Sequence, residues 1–94
     1  DHHPDDPRAP LAAFTLGRVL LDGLGRPRQA AAAFRAAQEL HPQGPLAQDA
    51  LAREVEAWSR ADEERLARQR ALEYLRRYPA GPRQRAVRRH GGLE

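Results

Sequence analysis

Three short proline pairs set the frame of this chain: Pro7-Arg8-Ala9-Pro10, Pro42-Gln43-Gly44-Pro45 and Pro79-Ala80-Gly81-Pro82. Pro7 to Pro42 is 35 residues and Pro42 to Pro79 is 37. Proline lacks the amide proton that would continue a helix, and its ring fixes φ near the value of a first helical turn. In each pair, the first proline therefore ends what precedes it and the second opens a new helix. Each interval holds two helices and a turn, and recurrence at this period is the mark of a repeat array, in which each unit buries its apolar face on its neighbours.

The first interval specifies a helical hairpin in detail. Ala30, Ala33, Phe34, Ala37 and Leu40 recur at helical spacing and place one apolar stripe opposite Arg35, Gln38 and Glu39. Ala13, Leu16, Gly17 and Leu20 do the same one helix earlier. Gly17 and the alanine run remove bulk where two backbones approach, and Phe34 fills the space that remains, so close antiparallel packing is expected. Gly23, Gly25 and Pro27 mark the turn between the two helices.

The expected helices run from Pro10 to Asp22, Pro27 to Leu40, Pro45 to Arg60, Asp62 to Arg77, and Pro82 to His90. Leu51, Val55 and Trp58, with Ala47 and Ala50, form the stripe of the third; Ala67, Ala71, Tyr74, Leu75 and Tyr78 form that of the fourth; Ala86 and Val87 let the fifth cover the second hairpin. Asp62, followed by Glu63 and Glu64, is read as a helix cap. No Gly or Pro lies between Pro45 and Pro79, so one continuous helix of about thirty residues is the alternative, and it would close the hairpin only between two chains in a swapped dimer. Residues 1–6 read as a mobile tail, 7–90 as the repeat domain, and 91–94 as a flexible tail or cloning remnant.

The pattern Ala13-x-x-Leu16-Gly17-x-x-Leu20, then Ala30-x-x-x-Phe34, Ala37 and Pro42, resembles the tetratricopeptide repeat. Ala13 and Leu20 stand where that family has aromatics, and the turn is one residue longer. The second copy is weaker: Leu51-Ala52, Val55, Ala67, Ala71 and Pro79, with Tyr74 and Tyr78 supplying the volume that Ala71 lacks. The Tyr78-Pro79-x-Gly81-Pro82 ending looks like repeats of bacterial envelope assembly lipoproteins and periplasmic cell-division coordinators. Similar lysine-free, arginine-rich repeats occur in sensor proteins of high-GC bacteria. The resemblance implies an all-α fold, two antiparallel hairpins plus a closing helix stacked as a short right-handed solenoid, and a role as a protein interaction scaffold within a larger bacterial protein. It leaves the compartment open between envelope and cytoplasm.

Composition narrows the chemistry. With 94 residues, 40% hydrophobic but only 5% aromatic, the chain supports one alanine-rich, helix-favouring core. It has one Ser, one Thr, no Cys and no Lys, so an activated nucleophile with a partnering base is not expected, nor is catalysis. His2 and His3 lie in the tail, and His41 and His90 are far apart in sequence, so no metal set and no cofactor are expected. No apolar run reaches the roughly 20 residues of a membrane span, and no membrane insertion is expected.

Two surfaces are candidates for binding. In the resembled family the first helix of each hairpin lines a concave face; on the matching positions that face carries Leu11, Phe14, Arg18 and Leu21, then Leu46, Asp49, Arg53 and Glu56, then Arg83, Ala86 and His90. Arg18, Arg53 and His90 occupy equivalent places and imply a protein or peptide partner segment with at least one carboxylate. From Arg65 to Arg89 there are nine Arg against the single acid Glu73. Arg76, Arg77, Arg83, Arg85, Arg88 and Arg89 are therefore the alternative patch, for an acidic surface or nucleic acid, with nucleic acid the less expected because Glu73 pairs part of this charge. Leu11, Phe14 and Leu21, left without a preceding hairpin, are also expected to drive a homodimer.

Overall fold

The computed structural model describes residues 6–94. These residues form five α-helices and no strand: α1 (Arg8–Arg18), α2 (Pro27–Leu40), α3 (Ala47–Arg60), α4 (Glu64–Arg77) and α5 (Gln84–His90). The His2-His3 tail lies outside the described residues. Asp6, also assigned to the tail, accepts the Arg8 backbone N–H at 2.9 Å and so satisfies one of the free donors at the start of α1.

Consecutive helices pack on one another, and α5 also returns onto α3. The close approach in the first hairpin is real: a Cβ added at Gly17 would stand 2.6 Å from Phe34 Cε1. Phe34 is fully buried, and Phe14 meets it edge-on with ring centroids 5.4 Å apart. Ala30, Ala33 and Ala37 are buried as expected, but Leu40 and Leu16 are exposed. Leu40 lies in the last turn of α2, past the span covered by its neighbours. Leu16 lies on the flank of α1, and the core position falls instead to Leu21.

That exchange accompanies a change of winding. Val19–Gly23 continues α1 as a π turn, closed by the Leu24 N–H to Val19 carbonyl bond at 2.9 Å, which spans five residues rather than four. The wider turn absorbs an extra residue before Gly25, whose positive φ of 62° turns the chain toward Pro27.

The continuous-helix alternative fails at Asp62. Ala61 closes α3, Asp62 adopts φ of +59°, and α4 begins two residues later. Asp62 thus makes the bend rather than the cap: Glu63 holds the N-cap position, without a side-chain cap bond, and Arg28 at the start of α2 reaches it as an ion pair. Pro45 and Pro82 sit in the turns just ahead of α3 and α5, while Pro10 lies inside α1, where its missing N–H would have no helical partner.

Two apolar clusters share α3. The first joins Leu21, Ala30, Ala31 and Phe34 to Ala57, with Phe14, Leu20 and Trp58 half-buried against it. The second joins Leu51, Ala52 and Val55 to Ala71, Tyr74 and Val87, with Leu75, Tyr78 and Leu93 beside it. Trp58, expected in the stripe with Leu51 and Val55, belongs to the first. Residues 91–94 are not a loose end: Gly91 is buried, Leu93 packs on the second cluster, and Gly92 turns with φ of +69° while the Leu93 N–H bonds back to the Arg88 carbonyl.

Candidate functional site

The largest surprise in the side chains is a buried polar node. Glu54 is fully buried at the middle of α3. Its Oε1 accepts the Gln38 amide at 2.8 Å, its Oε2 accepts the Trp58 indole N–H at 2.9 Å, and the Arg70 Nε–H is shared between both oxygens at 3.1 and 3.0 Å. Arg70 also donates to Gln38 Oε1 at 3.0 Å, and Gln38 donates to the Phe34 carbonyl. One carboxylate thereby ties α2, α3 and α4 together with every buried polar side-chain atom among the described residues satisfied. Sequence reasoning missed it, because Gln38 and Glu54 read as surface positions. The signal was the spacing of Ala47, Ala50, Glu54 and Ala57, in which Glu54 occupies an otherwise small, apolar stripe.

The face assigned to the first helices is linked by ion pairs. Arg53 donates to Asp22 at 2.6 Å and to Glu56 at 2.6 Å, and its guanidinium lies 5.7 Å from the centre of the Phe34 ring. Arg60 reaches Glu56 at 2.6 Å and Asp22 at 3.5 Å. Asp49 pairs with Arg83 at 3.1 Å, joining α3 to the residue that opens α5. The structure therefore brings together Asp49, Arg53, Glu56 and Arg83, but as partners of one another and of Asp22. Leu21 does not belong to this face, being buried in the first cluster, and Phe14 is half-buried against Phe34. Leu11 and Arg18 are exposed, and Leu46 and Ala86 are half-buried.

His90, at the end of α5, is half-buried. Loss of hydration pushes its pKa below the usual histidine value; the Glu56 charge opposes that shift, and Arg89, Arg60 and Arg53 add to it. His90 also borders a cavity of about 500 Å³ lined by Ser59, Asp62, Glu64, Arg68 and Arg89. Arginines and carboxylates converge there, so the cavity has no single sign of charge.

The arginine patch is thinner than its sequence. Arg76 is held by Glu73 at 2.6 Å, which draws the Glu73 pKa down and the Arg76 pKa up. Arg77 donates to the Pro42 carbonyl and lies over Tyr78, and Arg83 is taken by Asp49. Arg85, Arg88 and Arg89 remain exposed on α5 with no ion pair among the described residues. No cluster of three metal-ligating side chains occurs among the described residues, and none of their helices is long and apolar enough to cross a membrane.

No protein-family model matches the chain, and neither curated proteins nor solved structures include one that matches it.

Proposed function

We propose that the chain is a non-catalytic protein interaction module, a short tetratricopeptide-like stack in which α1, α3 and α5 present one face to an extended partner segment. The observation that carries this reading is the run of ion pairs from Asp22 through Arg53 to Glu56 and from Asp49 to Arg83. These pairs bridge the three first-of-hairpin helices and hold their polar groups in fixed positions. Fixed charged side chains on a rigid helical face lower the entropy lost when a partner binds. The sandwiching of α2 between α1 and α3, and the Gly17–Phe34 contact, support the repeat architecture.

The partner is a peptide segment carrying a carboxylate toward Arg18. Arg53 is already neutralised by two acids, so Arg18 is the arginine of this face that has no ion pair among the described residues. Titrating extended acidic peptides into isotope-labelled protein tests the reading. The expected result is saturable amide perturbation at Arg18, Asp49, Arg53 and Glu56, lost with Arg18→Glu. Perturbation confined to Arg85, Arg88 and Arg89, with micromolar binding of single-stranded oligonucleotides at about 150 mM salt, would instead establish the anionic-patch reading, which rests on those three unpaired side chains.

A further inference from the structure

A cavity of about 240 Å³ lies between α2 and α4, lined by Arg35, Gln38, Glu39, Pro42, Arg70 and Arg77, with none of its lining drawn from α1, α3 or α5. Three guanidinium groups border it, and most of their donors are unused. Arg35 stands 3.6 Å from Glu39 and 3.7 Å from Glu54, both beyond hydrogen-bond reach, so none of its N–H groups is bonded among the described residues. Arg77 donates only to the Pro42 carbonyl, at 3.2 Å. Arg70 is committed to Glu54 and Gln38 through Nε and Nη2, and its Nη1 has no acceptor among the described residues. Acceptors are scarce by comparison. Glu54 is fully buried with both oxygens already bonded, Gln38 Oε1 takes Arg70, and the Glu39 carboxylate is 69% exposed and held by no hydrogen bond. Three cations against two carboxylates leave a positive surplus, above a floor that the polar node fixes in place.

We propose that this cavity binds a tetrahedral oxoanion, either inorganic phosphate or the phosphate group of a phosphomonoester, between Arg35, Arg70 and Arg77. A guanidinium presents a planar fork of N–H donors that fits two phosphate oxygens, and three such groups match an anion with more than two acceptor oxygens and close to two negative charges. A carboxylate, with two oxygens and one charge, leaves donors unpaired. Glu39 opposes the anion, and its exposed side chain turns to solvent as the site fills. The bound anion joins Arg35 of α2 to Arg70 and Arg77 of α4, which at this cavity are otherwise linked by the Arg70–Gln38 and Arg77–Pro42 bonds. Occupancy therefore stabilises the fold as well. The site is distinct from the unpaired arginines of α5, and it does not depend on the peptide-binding face.

Calorimetric titration of the full chain with phosphate, sulfate and acetate, at constant ionic strength in a buffer free of oxoanions, is the test. Phosphate should bind saturably, sulfate should compete with it, and acetate should do neither. Arg35→Gln and Arg77→Gln should each weaken phosphate binding about tenfold, the loss of one charge-assisted contact. Glu39→Gln should tighten it, and Arg85→Gln with Arg88→Gln, exposed on α5, should leave it unchanged. Phosphate should also raise the denaturation midpoint of the parent chain and not that of Arg35→Gln. Phosphoserine and a phosphoserine pentapeptide, each against its unphosphorylated form, separate the sources: tighter binding than inorganic phosphate identifies a phosphomonoester, and equal binding the free anion. Phosphate titrations that do not saturate, or acetate bound as tightly as phosphate, would overturn the proposal. So would an equal loss from the Arg85 and Arg88 pair and from Arg35→Gln, since net charge alone would then account for the binding.

Discussion

Glu54 shows how much one side chain can demand of its surroundings. A carboxylate with no exposure is tolerable only while Arg70, Gln38 and Trp58 hold it, and removing one partner of such a pair leaves a buried charge uncompensated. Arg70→Ala is expected to destabilise the fold by about 3 kcal/mol, whereas Arg68→Ala, exposed on the same helix, should change stability by under about 0.5 kcal/mol; denaturant midpoints of the two variants decide it. Gly17→Ala forces a methyl into the Phe34 ring and should cost about 1–3 kcal/mol, and Phe34→Ala about 3–5 kcal/mol. The glycine and the phenylalanine were legible as a small residue facing a large one at helical spacing. The carboxylate was marked only by its place in the stripe of Ala47, Ala50 and Ala57, and two of its three partners, Gln38 and Arg70, come from other helices. His90 adds a pH dependence: its folded-state pKa lies below the unfolded value of about 6.5. Between the two values the unfolded chain binds more protons, so stability falls as pH drops through that window, and is constant again below the folded value. His90→Gln should flatten this part of a stability-versus-pH curve, and an unchanged slope would assign it to another group.

At the scale of the elements, the helix count and the hairpin pairing follow from the proline frame and the apolar spacing, but the helix ends do not. None of the five N-cap residues makes a side-chain cap bond, and apart from Asp6, which reaches the first amide of α1, the helix starts rest on turn backbone. Asp62 is the clearest case. Its left-handed φ is a conformation that aspartate tolerates and a β-branched residue does not. Asp62→Gly should therefore stabilise the fold by about 0.5–1 kcal/mol, and Asp62→Val should destabilise it by more than that. Thermal midpoints moving in opposite directions would confirm that the bend rests on this backbone; equal, small shifts would mean that packing of α3 on α4 determines it. Leu21 marks another limit: the π turn from Val19 to Gly23 is not announced by any residue type, yet it determines that Leu21 is core and that Leu16 is not.

For the molecule as a whole, the arrangement of the two clusters decides how it unfolds. The first rests on α1, α2 and one side of α3, and contains Trp58; the second rests on the other side of α3 with α4 and α5, and contains Tyr74 and Tyr78. The two clusters would unfold one after the other if each were held only by its own contacts, since regions of unequal local stability open separately. Here the link between them is concentrated. Glu54 on α3 receives Trp58 and Gln38 from the first side and Arg70 from the second, so neither half can open without stranding a buried charge or its amide partner. The intact protein should therefore give coincident denaturation curves by Trp58 fluorescence and by near-ultraviolet circular dichroism of the tyrosines, as a single cooperative unit does. Arg70→Ala removes the link while leaving the apolar contacts of each cluster in place. In that variant the two curves should separate, with the tyrosine signal of the α4–α5 half lost at lower denaturant than the Trp58 signal. Curves that still coincide in Arg70→Ala would show that the shared helix α3, and not the polar node, makes the two halves one cooperative unit.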